Sequence, residues 1–174
     1  MYMLIRIIVH AKDGKQAFTK AENALNELVK GEKFFNYYST FDSERTRGSY
    51  VDWSHLPPVM LASGPEGKHF IEMGWKHTVE GFMEAFEHVK LAVQYLSPEE
   101  IMERIYPKDL PADIKKKINV LCIRVYFEEL SDRPGHPKFL YHEHEPIMSK
   151  EDLEFALEPE EGLNVYVIPA DIHY

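Results

Sequence analysis

Three histidines, His136, His142 and His144, lie close together with Glu143 and Glu145 interleaved. Successive residues of a strand alternate faces, so His142 and His144 would share a face if residues 139–145 stay extended. Two neutral imidazoles on one face begin a site for zinc or another borderline divalent metal, with His136 across the preceding turn as a third ligand. Asp171 and His173 are further candidates. The competing reading is the polar rim of a hairpin in a chain with nine histidines. A real site needs convergent ligands, which spacing alone does not supply.

A second group falls in residues 42–69, which hold Arg45, Arg47, Tyr50, Asp52, Trp53, His55, Lys68 and His69. Guanidinium forks bind carboxylate or phosphate in bidentate fashion, and a helix start adds backbone donors. Arg45, Arg47, Trp53 and Lys68 are therefore the candidate contacts for a small anionic ligand. The stretch Ser63-Gly64-Pro65-Glu66-Gly67-Lys68 departs from the phosphate-loop pattern. Its glycine spacing is wrong, and His69 stands where a magnesium-binding Ser or Thr belongs. The alternative is a loop packed on a sheet by Tyr50 and Trp53, with its arginines in surface ion pairs.

Other constellations carry less. His77, Glu80, Glu84 and His88 share one helix face, but it lies opposite the apolar stripe and reads as solvated. Glu84 to His88 spans four residues, not the three of carboxylate di-iron bundles. Cys122 sits between Leu121 and Ile123 on an expected strand, where a thiol is inert. No Gly-x-Ser-x-Gly, His-Glu-x-x-His or Cys-x-x-Cys is present. Phe34-Phe35-Asn36-Tyr37-Tyr38 could stack bases and Lys115-Lys116-Lys117 could meet phosphates. The RNP1-type pattern is missing, however, and a net charge of −9 opposes binding to nucleic acid or anionic membranes.

The elements that must hold these residues follow from apolar spacing. Residues 3–10 read as a central strand, apolar at nearly every position. Asp13 and Gln16 open a helix that Gly31 closes. Residues 34–41 read as a strand and 42–65 as a long loop. Trp75, Val79, Phe82, Phe86, Val89, Val93 and Leu96 form one narrow stripe on a long helix. Ser97-Pro98-Glu99-Glu100 starts a short helix that ends by Pro107. Residues 118–127 read as the clearest strand, with 139–142 as its hairpin partner after a turn at 133–137. Ser149 caps a helix at 150–157, and 163–168 form a last strand.

That order, β-α-β then α-α-β-β-α-β, predicts an α+β fold. A single mixed or antiparallel sheet carries helices mainly on one face, and the second half has a partly ferredoxin-like element order. The 174 residues suit one domain spanning 1–174. One cysteine permits no internal disulfide, which fits a reducing cytoplasm, and no stretch is a membrane span or a secretory leader.

The expected function is that of an acidic, cytoplasmic, non-catalytic interaction module binding a protein partner or itself as a homo-oligomer. No cofactor is expected. The alternatives are a metal-dependent hydrolase or metal-binding protein using the histidine cluster, and a binder of a small anion through the 42–69 loop.

Overall fold

The structure, a computed structural model, describes residues 2–31, 37–41, 56–103, 105–118 and 139–173. Its described elements are five helices and one mixed six-stranded sheet, an α+β fold. Chain contacts divide it into two compact units: residues 1–78 with 137–174, and residues 79–136.

The first unit contains the whole sheet. Strand β1 (Tyr2–Ala11) pairs antiparallel with β6 (Asn164–His173) and parallel with β4 (Leu140–His142). On the far side of β6 lie β2 (Tyr37–Thr40) and β3 (Met60–Leu61), and β5 (Glu145–Pro146) closes the β4 edge. Alternation along β1 and β6 sorts their side chains between two cores. Ile5, Ile7, Val9, Ile168, Ala170 and Ile172 meet Ala17, Ala21, Leu25 and Leu28 of helix α1 (Gly14–Gly31). Ile8, Val165 and Val167 face the other way. There they meet Phe70 and Ile71 of helix α2 (Pro65–Tyr95) and Ala156 of the helix Lys150–Leu157, numbered α5 below. Each buried Ile or Val stabilises the fold by about 1.5–3 kcal/mol.

Strand β6 runs five residues beyond the expected Ile168, straight through Pro169. The register explains why. Pro169 lies opposite Arg6, whose own N–H donates to the Phe139 carbonyl on the β4 side. The missing N–H of Pro169 therefore faces away from β1, between Thr40 of β2 and Met60 of β3, where no ladder bond is forfeited.

Helix α2 begins ten residues before Trp75. Pro65 is its first residue, where a missing N–H costs nothing, and Lys68 N–H donates to the Gly64 carbonyl at 2.9 Å. Strand β3, inside the expected 42–65 loop, precedes it. Gly67 packs against the backbone of Leu61 so closely that a Cβ has no room.

In the second unit, α2 continues from Val79. Two short helices follow, α3 (Pro98–Glu103) and α4 (Ala112–Lys117). Ser97 and Glu100 exchange the two bonds of a capping box, at 2.8 and 3.2 Å. Ala92, Leu96 and Ile118 are buried together, flanked by Val89, Ile101, Tyr106 and Ile114. The Tyr106 hydroxyl donates to the Ile118 carbonyl at 2.8 Å.

Candidate functional site

The histidine segment does not stay extended. The chain reverses at Glu143–His144, pairing His142 with Glu145, and Glu143 adopts φ 53°. The alternation that would give His142 and His144 a common face therefore stops at His142. His144 is exposed in the turn, with Nε2 3.5 Å from the Glu145 carboxylate. His136 lies outside the described residues. Among the described residues no three His, Cys, Asp or Glu side chains come together to hold a metal. Asp171 lies beside Leu4 and His142 beside Ile8 on opposite sides of β1, so they are offset by about 13 Å along the strand and by two strand spacings across it.

His142 has a different neighbour. Its ring sits edge-on to that of His10, with centroids 5.4 Å apart, and 5.8 Å from that of Phe155. His10 is buried on β1, with Nε2 2.9 Å from the Glu158 carbonyl and Nδ1 3.6 Å from a Glu160 carboxylate oxygen. A carbonyl only accepts, so Nε2 carries the proton that donates. Burial, then the neighbouring His10, lowers the His142 pKa below the usual histidine value. This pair pins the end of α5 to the sheet. Sequence reading missed it because its partners are 132 residues apart.

Of the anion candidates, Arg45, Arg47 and Trp53 lie outside the described residues, and Lys68 is exposed in the first turns of α2. The glycines beside Lys68 serve packing: Gly64 N–H closes a turn onto the Leu61 carbonyl at 3.0 Å, and Gly67 admits the same backbone. Cys122 and Phe34–Asn36 also lie outside the described residues.

Two ionisable groups are buried on the sheet: Arg6, which the sequence does not single out, and Asp171, which it offers only as a metal ligand. Arg6, 3% exposed, donates from Nε to the Phe70 carbonyl at 2.9 Å and from Nη1 to the Leu4 carbonyl at 3.3 Å. Its guanidinium lies 4.5 Å from the centroid of the Phe70 ring. Burial lowers its pKa to about 10, so it stays charged at neutral pH. Asp171, 7% exposed, leaves Oδ1 with no hydrogen-bond partner, and burial raises its pKa to about 6. Arg6 fastens α2 to the sheet. Asp171 has Leu4 of β1 and Ser39 of β2 as its cross-strand neighbours. An open depression on α5 is lined by Glu151, Glu154, Phe155, Leu157 and Glu158, with no buried polar side chain to orient a ligand.

The strongest surface feature is on α2. The stripe from Trp75 to Leu96 advances by alternating steps of four and three residues, the seven-residue repeat of a helix-to-helix seam. Only part of it is spent on the molecule's own cores. Trp75 joins the sheet core, while Val89 and Leu96 turn into the core of the second unit. Phe82 is 66% exposed, Phe86 53% and Val93 62%, with Val79 and Met83 also exposed. The Phe82 and Phe86 rings stack on each other at 6.4 Å. Together these five side chains leave on the order of 500 Å² of apolar surface in water, the upper end for a patch on a monomer. Of the polar face, Glu80 and Glu84 are exposed as expected, whereas His88 is half-buried and the half-buried His77 ring lies 5.4 Å from that of Phe139.

No curated protein and no solved structure matches the chain. Residues 1–174 match the family described as a domain of unknown function (DUF7995), and the chain belongs to that family.

Proposed function

We propose that this member of the DUF7995 family is a non-catalytic interaction module that associates with a second copy of itself through the exposed face of α2. The observation that carries the reading is the unspent half of the seam: Val79, Phe82, Met83, Phe86 and Val93 in water on a helix whose spacing suits packing against another helix. Two such faces would bury about 1,000 Å², the lower limit for a specific interface, so the association is weak and reversible.

Net charge opposes the pairing of two copies, and the apolar seam has to outweigh it. The net charge of −9 disfavours polyanionic partners, whereas the seam itself carries no acidic side chain. A single cysteine supports a reducing, cytoplasmic setting, and among the described residues no helix is long and apolar enough to cross a membrane. The reading calls for no resident cofactor.

Size-exclusion chromatography with light scattering tests it. The expected mass rises from one chain towards two as concentration climbs from micromolar to hundreds of micromolar. Phe82→Glu with Phe86→Glu should hold the protein at one chain throughout. A strict monomer at the highest concentration of the unaltered protein removes the proposal.

A further inference from the structure

We propose that α5 is a cover on the sheet that acid releases, through the edge-on imidazoles of His10 and His142. The device is independent of self-association through α2. His10 stands on β1, 4% exposed, and both of its ring nitrogens face the chain leaving α5, at the Glu158 carbonyl and the Glu160 carboxylate. His142 ends β4 on the same face of the sheet, since its register partner Ile8 shares that face with His10. Its ring is edge-on to that of His10 at 5.4 Å and to that of Phe155 on α5 at 5.8 Å. The helix itself is lightly held. It has eight residues, of which Ala156 is buried and Leu153 and Leu157 are half-buried. Local openings are drawn from elements of this kind. Lifting α5 uncovers part of the apolar cluster that Ala156 shares with Ile8, Leu140 and Ile147.

Charge gives the cover its sensitivity to acid. Two imidazolium rings this close repel, so the closed form holds one charge on the pair more easily than two. Lifting α5 takes Glu158 from His10 and Phe155 from His142 and lets water reach both rings. The open form therefore takes up a proton that the closed form resists, and falling pH shifts the balance towards it. The charged neighbours of His142 do not reverse this sign. Burial and then His10 lower its pKa, Glu143 and Glu160 raise it, and His144 lowers it again, leaving it below the usual histidine value. Glu145 faces His144 at 3.5 Å, and Glu151 and Glu154 lie with Phe155 around the open depression on α5. With a depressed histidine pKa the closed form is favoured at neutral pH and loses that advantage as pH falls from about 7 to 5. The movement falls to α5 because β4 is hydrogen-bonded between β1 and β5. Asp171, beside Leu4 nearer the other end of β1, responds with the opposite sign, so acid loosens α5 without weakening the sheet there.

Amide hydrogen exchange read by nuclear magnetic resonance, corrected for the intrinsic rate at each pH, tests this on the unaltered protein. The opening constant at Ala156 and Leu157 should rise about five-fold or more between pH 7 and pH 5, while that at Ile7 and Ile168 in the middle of the sheet stays level. His142→Gln keeps a polar side chain that cannot charge, and should hold the rise below about two-fold. An opening constant at Ala156 that is the same at both pH values overturns the proposal. So does a rise shared by Ile7, which is loss of the whole fold rather than of a cover. A full rise that survives in His142→Gln assigns the response to another group and overturns the role of the pair. If that variant does not fold, resonances of the unaltered protein decide: the Phe155 amide should follow the His142 ring through one midpoint, and separate midpoints overturn the coupling.

Discussion

Burial of the Asp171 carboxylate gives the sheet a pH dependence of its own. Its folded pKa of about 6 lies above the ordinary 3.8, so the folded state binds the proton more tightly than the unfolded chain does. The sign follows: above pH 6 ionised Asp171 destabilises the fold, and that cost disappears as pH falls from 6 towards 4. Asp171→Asn should therefore stabilise by on the order of 1–2 kcal/mol at pH 7.5, and the gain should vanish near pH 4 in chemical denaturation. A gain independent of pH would show that the carboxylate charge is not the cause. Arg6 makes the opposite case, a buried charge satisfied by two carbonyls and a ring. Gly74 leaves the space for it, since a Cβ there would lie 2.5 Å from Arg6 Cδ and 3.0 Å from Leu140 Cδ2. Gly74→Ala is expected to cost about 1–3 kcal/mol by overpacking, read as a lowered midpoint in urea. Asp171 stands out in the sequence only as a candidate metal ligand, and its burial is not legible there. Arg6 reads there only as an interruption in an apolar strand, and what it touches is set by Phe70, 64 positions away.

At the scale of elements, what was legible follows from local physics. The strand at 3–10, the helix after Asp13 and the capped helix at 150–157 are all present, because each signal is contained within a few residues. Gln16 N–H donates to the Asp13 carboxylate at 2.8 Å, and Ser149 and Asp152 complete a reciprocal box. Ser149→Ala should lower stability by about 1 kcal/mol, measured by thermal melting. The misreadings came from punctuation whose meaning depends on partners. Pro65 signals a loop in the sequence and is the first residue of α2; Pro169 signals the end of a strand and sits inside one. Strand β3, two residues long, carries too little pattern to be read at all. Of the expected 118–127 strand, Ile118 caps the end of α4 and residues 119–127 lie outside the described residues, and β4 has β1 and β5 as its neighbours in the sheet. The apolar stripe was legible as a stripe, but periodicity says only that a face is apolar. It does not say whether the chain itself covers it. Phe82→Ser with Phe86→Ser should therefore weaken self-association while changing the melting temperature little, since neither ring is buried in a core.

On the scale of the whole molecule, charge and apolar surface oppose one another. Two copies each carrying −9 repel, and the α2 seam must overcome that repulsion. Raising sodium chloride from 50 to 500 mM should therefore tighten self-association, because screening removes the repulsion without weakening the apolar contact. Weakening with salt would point instead to an interface held by ion pairs. The central claim is that the exposed face of α2 is covered by another copy of itself, and an isotope-filtered nuclear Overhauser experiment tests it most directly. Protein labelled with ¹³C-methyl methionine is mixed with unlabelled protein at high concentration, and the spectrum retains only contacts between copies. The account predicts cross-peaks from the Met83 methyl group to protons of the unlabelled copy. A sample that is dimeric by mass yet shows no intermolecular contact at Met83 would contradict it.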